Sequence, residues 1–345
     1  LKGFFVLLTV LLIAALVWST GAGALSISPA QIFSILCHKA GWHTGIPFTE
    51  QQENVLWIIR LPRVLMSLLI GSTLSICGGA MQGLYRNPMA DPSLIGISSS
   101  GATAAVIMIV LGSKLFAGFQ SMLGQYSLNL ATFAGALLAS VLVYRLSRQQ
   151  GKTNVGIMLL AGVALNAIAG AITGFVTFLA NDQQLRSVTF WMMGSLGGAT
   201  WVNVAGILPF CAASIIGLPL MAKALNAFSL GESDAAYLGI RTERMKTIVM
   251  LLCAMGVGAS VAVAGIIGFV GLVVPHIVRM AVGPEHRRLL IAAALCGGML
   301  LVLADLMSRT IAPPVEIPIG IISALGGGPF FLYLLLKEKK RNALL

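Results

Sequence analysis

The sequence predicts an all-α polytopic membrane protein with about ten transmembrane helices. Three observations predict it. Of 345 residues, 57% are hydrophobic and 10% are charged, whereas a soluble domain carries about 25% charged residues. Apolar windows of spanning length recur along the whole chain. The lysines and arginines gather in alternate connections, as they do when one side faces the cytoplasm. The net charge of +11 is therefore a feature of loops, and nucleic acid is not an expected partner.

The windows fall at about 3–20, 63–84, 94–112, 127–146, 155–180, 201–222, 247–265, 267–282, 289–307 and 319–336. The first follows Lys2 and precedes GAGALS, a pattern a signal peptide also has; the charge distribution favours a first spanning helix. The second opens on RLPR and ends at a polar stretch, RNPMADPSLIGISSSGA (86–102), that leads into the third. The fourth and fifth flank a basic turn containing Gly151-Lys152-Thr153. The sixth ends at the longest charged connection, KALNAFSLGESDAAYLGIRTERMK (223–246), from which the seventh rises. The eighth, GIIGFVGLVVPHIVRM, is short, Gly-rich and carries Pro275. It reads as bent or partly re-entrant, which a membrane tolerates only where protein or a cavity satisfies the freed backbone. The ninth and tenth complete a single transmembrane domain over residues 1–345.

Ten spans put both termini on one side. With that side cytoplasmic, 16 of the 22 lysines and arginines fall inside and 6 outside, in keeping with the positive-inside rule. The second and seventh windows echo each other. Each starts with paired arginines and continues through small residues, and five helices separate them. Their directions are opposite, the mark of an inverted repeat. The 39 glycines suit close helix packing in lipid. The five cysteines form no CxxC and read as buried, inert thiols.

The chain looks like a translocation path without an engine. Gly151-Lys152-Thr153 resembles the end of a P-loop, but Leu146 stands where that motif needs its first glycine. No HExxH or other metal spacing occurs, and no membrane enzyme constellation is visible. A proton-coupled carrier places carboxylates mid-span; here Asp305 lies near a helix end and Asp91 in a loop. The energy source is therefore expected in a partner. Residues 223–246 are the candidate docking segment. They read as two short helices between glycine turns, with Ser229 or Ser233 available as caps and an apolar patch from Ala235 to Leu238. The other reading is an ordinary solvated connection.

His38 and His43, in CHKAGWH, read either as ligands to a metal or haem iron or as a solvated pair. His276 and His286 flank the inner end of the eighth window, as polar lining or as contacts to a substrate. Arg60, Arg63 and Arg309 fall on the base-poor outer side. They read either as anchors to lipid headgroups or as a basic platform for an acidic partner.

In order along the chain stand RLPR (60–63), GGAMQG (78–83), NPMADPSLIGISSSGA (87–102), LLAGVAL (159–165), WMMGSL (191–196), SLGESDAAYLGI (229–240), GFVGLVVPHIVR (268–279), EHRRLL (285–290) and EIPIGIISALGGGPFF (316–331). Together they resemble the permease subunits of the FecCD type, whose members import cobalamin, ferric siderophores and haem. The resemblance covers nearly the whole chain and is greatest to the haem-importing branch.

The resemblance implies a type II ABC importer permease fold in the bacterial inner membrane, with both termini cytoplasmic. It implies a homodimer with ten helices per subunit and a path along the dimer axis. Two cytoplasmic ATPase subunits bind below and a periplasmic substrate-binding protein docks above. The chain is then not an enzyme and binds no cofactor or metal; ATP and magnesium belong to the partner ATPase. Arg60, Arg63 and Arg309 match family arginines that meet acidic residues of the binding protein. Asn87 and Met89 match positions that form a cytoplasmic gate in the cobalamin member. A second constriction falls at Thr153, Asn154, Val155 and Gly156, where this sequence lacks the hydroxyl pair of the cobalamin permease. Coupling to the ATPase is expected of Leu230, Gly231, Glu232, Ala235, Tyr237, Leu238 and Gly239.

Pro88 and Pro92 then have a purpose. They stiffen the 86–102 stretch, which can carry Asn87 and Met89 into the mouth of the path, with Asp91 capping the third helix. The expected function is the membrane-spanning permease subunit of an ATP-driven importer for an iron chelate. Haem is the first candidate, a ferric siderophore or cobalamin the alternative. An ion-coupled secondary transporter is the alternative of a different class, disfavoured by the missing mid-span carboxylates.

Overall fold

The structure, a computed structural model, describes residues 2–124 and 126–342. The chain enters through α1, Lys2–Gly21, and continues into two short helices, α2, Pro29–Lys39, and α3, Glu50–Asn54. Each of these starts on a capping box, Ser28 with Gln31 and Thr49 with Gln52. From Asn54 the backbone passes through a π-helical turn, Val55–Arg60, into α4, Leu61–Tyr85. Pro62 gives a reason for the turn. It has no N–H, and in a regular helix its ring would press on the carbonyl of Ile58; a wider turn relieves that contact. The second window thus lengthens to 36 residues, Glu50–Tyr85.

A 3-10 turn, Pro92–Ile95, leads to α5, Ile97–Leu115, then α6, Ala117–Leu123, and α7, Tyr126–Ser147. Two short strands, β1, Arg148–Gln149, and β2, Lys152–Thr153, pair antiparallel around Gln150 and Gly151. Beyond them come α8, Val155–Phe178, α9, Asp182–Met192, and α10, Trp201–Leu220. The 223–246 connection holds α11, Ala222–Leu230, and α12, Glu232–Tyr237. The chain ends with α13, Thr242–Ala264, α14, Val270–Val282, α15, His286–Thr310, and α16, Ile319–Asn342.

Among the described residues, eight helices are long and apolar enough to cross a membrane. Two shorter apolar helices, Val270–Val282 and Ile319–Tyr333, take the remaining expected windows. The 13 residues of α14 rise about 20 Å, less than the about 30 Å of a hydrocarbon core. The preceding backbone is unwound, and Phe269 takes φ 69°. Neighbouring chain supplies partners there: the Ser195 N–H donates to the Ala264 carbonyl at 2.9 Å. The eighth window is thus a half-length helix beginning inside the protein.

The core gathers around α4, whose most apolar window is 83% buried and which packs on α10, α13, α14 and α15. Glycine makes this possible. A Cβ on Gly78 would fall 1.8 Å from the Gly271 carbonyl oxygen, and one on Gly71 2.3 Å from that of Gly297. Such backbone approach is what small residues supply where lipid gives no hydrophobic drive. The echoing helices α4 and α13 pack directly on each other. At the other extreme, α8 buries only 17% of its window. It exposes Leu160, Val163, Ile168, Ile172, Phe175 and Phe178, an apolar face for lipid or a second chain.

Candidate translocation and coupling sites

The polar stretch after α4 is a held turn. Arg86 ends the helix in the left-handed region at φ 50°. The Asn87 N–H donates to the Gln82 carbonyl at 3.1 Å, and Asn87 Oδ1 accepts the Met89 N–H at 2.9 Å. Asn87, Pro88 and Met89 are exposed, while Ala90 is buried. Beyond it the chain folds back into the protein. Asp91 Oδ1 accepts the Ser93 N–H at 2.8 Å, and a Cβ on Gly271 would come within 2.9 Å of its other oxygen. Asp91 therefore caps the 3-10 turn and not the third spanning helix. Gly96, at φ 78°, separates that turn from α5, so the cap cannot reach the helix start.

The second expected constriction shares a cavity with this turn's base. Thr153 is 2% exposed, and its N–H donates to Glu243 Oε2 at 2.8 Å. Asn154 caps α8, accepting from the N–H groups of Gly156 at 2.9 Å and Ile157 at 3.2 Å. Val155 and Gly156 form the first turn that this cap holds. Residues 153–156 line a cavity of about 1100 Å³ whose lining also includes Tyr85, Arg86, Phe228 and Glu232. Asn87 and Met89 are not in its lining. The two expected gate elements share this cavity only through Arg86, within one chain.

At this same end the candidate docking segment, 223–246, forms the expected two short helices. The caps differ from expectation. Gly231, at φ 143°, starts α12 with no side-chain cap, and Ser229 Oγ donates instead to the Asn226 carbonyl at 2.6 Å. Gly231 needs a conformation closed to other residues, so it takes the position a serine cap would occupy. Ala235 is buried and anchors α12, and Gly239 turns the chain at φ 79°. Leu230, Tyr237 and Leu238 are 68%, 90% and 64% exposed. Three large apolar side chains in one short polar segment have no packing partner to explain them.

His286 is misplaced for touching cargo. It is buried, its Nδ1 lies 2.7 Å from Asn226 Oδ1, and its Nε2 rests where a Cβ on Gly83 would be 2.3 Å away. It packs α15 onto α4, because Gly83 leaves room for a ring. Glu285 beside it caps α15. Burial alone would raise its carboxyl; the Arg287 N–H, the Asn226 amide and the Arg288 N–H outweigh that and hold it below the usual carboxylate range. His276 is half-buried on α14.

The three arginines do not form an exposed platform. Arg60 is 5% and Arg63 7% exposed. Arg60 donates to the carbonyls of Thr20 at 2.9 Å and Gly21 at 2.8 Å, and to that of Leu25. Arg309 donates to the Ala22 carbonyl at 3.0 Å, to Ser19 Oγ at 2.8 Å and to the Ser19 carbonyl. Arg63 reaches Asp305 at 2.8 Å and Glu316 at 2.7 Å. For Arg60 and Arg309 the reason is the end of α1, whose last carbonyls lack helical partners and draw guanidinium donors inward; for Arg63 it is the two carboxylates. Sequence reading missed this because the acceptors, carbonyls and carboxylates alike, lie far away in the chain or on another segment.

The rings of His38 and His43 lie 5.5 Å apart and nearly perpendicular, with His38 Nδ1 3.6 Å from Glu53. Among the described residues no group of three His, Cys, Asp or Glu side chains could hold a metal ion. Sequence reading also missed Lys246. Its side chain is fully buried and bonds Thr153, Glu232 and Glu243. The spacing of Glu243 and Lys246 was its one legible signal.

A family model described as the FecCD transport family matches residues 11–337. The chain is 42% identical to the hemin transport system permease protein HmuU of Yersinia pestis, over 97% of this chain and 96% of that one. It is 40% identical to the cobalamin import system permease protein BtuC of Halobacterium salinarum, over 89% of this chain and 79% of that one. Among solved structures it resembles an inward-facing conformation of a metal-chelate type ABC transporter. The TM-score is 0.84 at 28% identity, covering 98% of this chain and 100% of that one.

Proposed function

Because the chain belongs to the FecCD transport family, we propose that it is the permease subunit of an ATP-driven importer for an iron chelate, haem first. The observation that carries the cargo is the 42% identity to a hemin permease along 97% of the chain. Cobalamin is the second reading, favoured by the 40% identity to a cobalamin permease. The chain is a transport subunit, and hydrolysis lies in a separate ATPase.

Residues 1–345 act as one permease domain in a homodimer within the inner membrane, with both termini in the cytoplasm. The exposed apolar face of α8 supports pairing with a second copy. ATPase subunits bind the α12 end, where Leu230, Tyr237 and Leu238 stand exposed. Asn87, Met89 and residues 153–156 form the gate at that end. A periplasmic binding protein docks at the α2 end. Arg60 has carbonyls alone as acceptors and, being 5% exposed, contributes by turning out of them toward a carboxylate of the binding protein. Arg63 and Arg309 share Asp305 and contribute by exchanging internal partners for those of the binding protein.

The test is reconstitution of the dimer with its ATPase and binding protein in liposomes. ATP-dependent uptake of haem above that of cobalamin and a ferric siderophore is the expected result. Preference for cobalamin transfers the reading to the second cargo. Uptake driven by an ion gradient without ATPase would refute the importer reading.

A further inference from the structure

Lys246 stands one turn into α13 with a fully buried side chain. An ammonium has three N–H donors and no acceptor. All three donors are used. Nζ lies 2.5 Å from Glu232 Oε1 on α12, 2.9 Å from Glu243 Oε1 on its own helix, and 2.7 Å from the Thr153 carbonyl on β2. Glu243 closes a ring by accepting the Thr153 N–H at 2.8 Å through its other oxygen. One buried cation thus ties α12 to the strand that leads into residues 153–156.

A second link leaves from the same point. Phe228 is 1% exposed. Lys246 Nζ lies 5.7 Å from its ring centroid, and the Arg86 guanidinium also lies 5.7 Å from it. Both distances fall within the range of cation–π attraction. Arg86 is the residue immediately before Asn87. The α11–α12 segment is therefore bonded to one gate turn and stacked against the cation that begins the other. No other described connection joins these three places through a buried charge.

We propose that Lys246 is the positioning residue that carries movement of α12 to both gate turns, so that the state of the ATPase sets the state of the gate. This rests on the importer reading for the identity of the gate and the coupling segment. Physically, a buried ammonium cannot let go of one carboxylate without either taking another acceptor or paying desolvation. A shift of α12 must therefore pull Thr153 with it or break the junction. Coupling through such an element requires two discrete arrangements that both sites bias. Glu232 and Glu243, each about one-third or more exposed, stay solvated when the lysine leaves, so the junction can be cut without stranding buried anions.

The test uses three variants of the full chain, K246M, K246R and E232Q. E232Q removes only the charged tie to α12 and leaves Lys246 paired with Glu243, so it remains informative if K246M folds poorly. Hydrogen exchange on the permease dimer in nanodiscs reads the junction. In K246M, exchange at residues 150–156 and 230–238 rises at least tenfold while the rest of the chain is unchanged, and K246R restores protection. Reconstituted with the ATPase and binding protein, K246M and E232Q move at least tenfold less cargo per ATP hydrolysed, and K246R recovers it. Parallel loss of hydrolysis and transport would mark a folding role only and overturn the proposal. So would unchanged cargo per ATP in E232Q, or unchanged exchange in a folded K246M. A wild-type complex that moves no cargo would sink the importer reading instead, and the exchange result would still decide whether Lys246 ties α12 to the gate turn.

Discussion

Arg63 and Asp305 lie 242 positions apart in the chain and meet 2.8 Å apart inside the protein. Their side chains are 8% and 1% exposed. The pair pins the start of α4 to the end of α15, and Arg309 approaches the same carboxylate at 3.6 Å. A charge network expected at the surface is instead part of the packing between two core helices.

Asp305→Ala should therefore destabilise the chain strongly, by about 3–5 kcal/mol, because it leaves the buried Arg309 guanidinium without its acidic neighbour and Arg63 with Glu316 alone. The double variant R63M/D305L should recover a large part of that loss. Thermal unfolding in detergent measures both. Equal losses in the single and double variants would show that the two residues are not energetically coupled.

Gly78→Ala is expected to damage the fold more than an ordinary surface change. Its Cβ would lie 1.8 Å from the Gly271 carbonyl oxygen, and backbone cannot step aside as a flexible side chain can. A loss of about 1–3 kcal/mol or more is the scale for overpacking. Gly118→Ala, where a Cβ meets nothing within 4 Å, is the control. Equal unfolding temperatures for the two would contradict the close approach of α4 and α14.

Tyr237→Asp or Leu238→Asp should weaken ATPase binding at least tenfold, about 1.4 kcal/mol, since exposed aromatic and apolar anchors dominate interfaces. Both side chains are exposed at 90% and 64%, so the isolated permease should keep its unfolding temperature. Co-purification with the ATPase reads the effect. Full assembly by both variants would remove α12 from the interface.

Cysteine at Met89 should crosslink between two copies in one nucleotide state and separate in another. Met89 is exposed on a turn held by Asn87, and in a twofold dimer each copy would face its own image across the axis. A crosslinked pair should block transport, and reduction should restore it. Absence of crosslinks in every nucleotide state, with transport intact, would make the turn a stiff connector only.

The ten apolar windows, the half-length eighth helix and the two short helices of 223–246 were legible in the sequence. Each depends on hydropathy, proline or glycine within one segment, and such signals are local. The capping of α8 by Asn154 could be read the same way. The arginines could not. Arg60 and Arg309 find their acceptors on the end of α1, and Arg63 finds its own on α15 and beyond. No pattern within RLPR encodes which carbonyls will lie nearby.

Lys246 marks the same division. From sequence it is one base among the sixteen expected on the cytoplasmic side, in a segment that reads as a docking element or a solvated connection. The sequence by itself determined the apolar spans and the family motifs. Tertiary structure alone decided which charges are buried and which elements they join. The reason is physical: hydropathy is a property of a segment against its solvent, whereas the fate of a charge depends on the acceptors that distant segments bring to it.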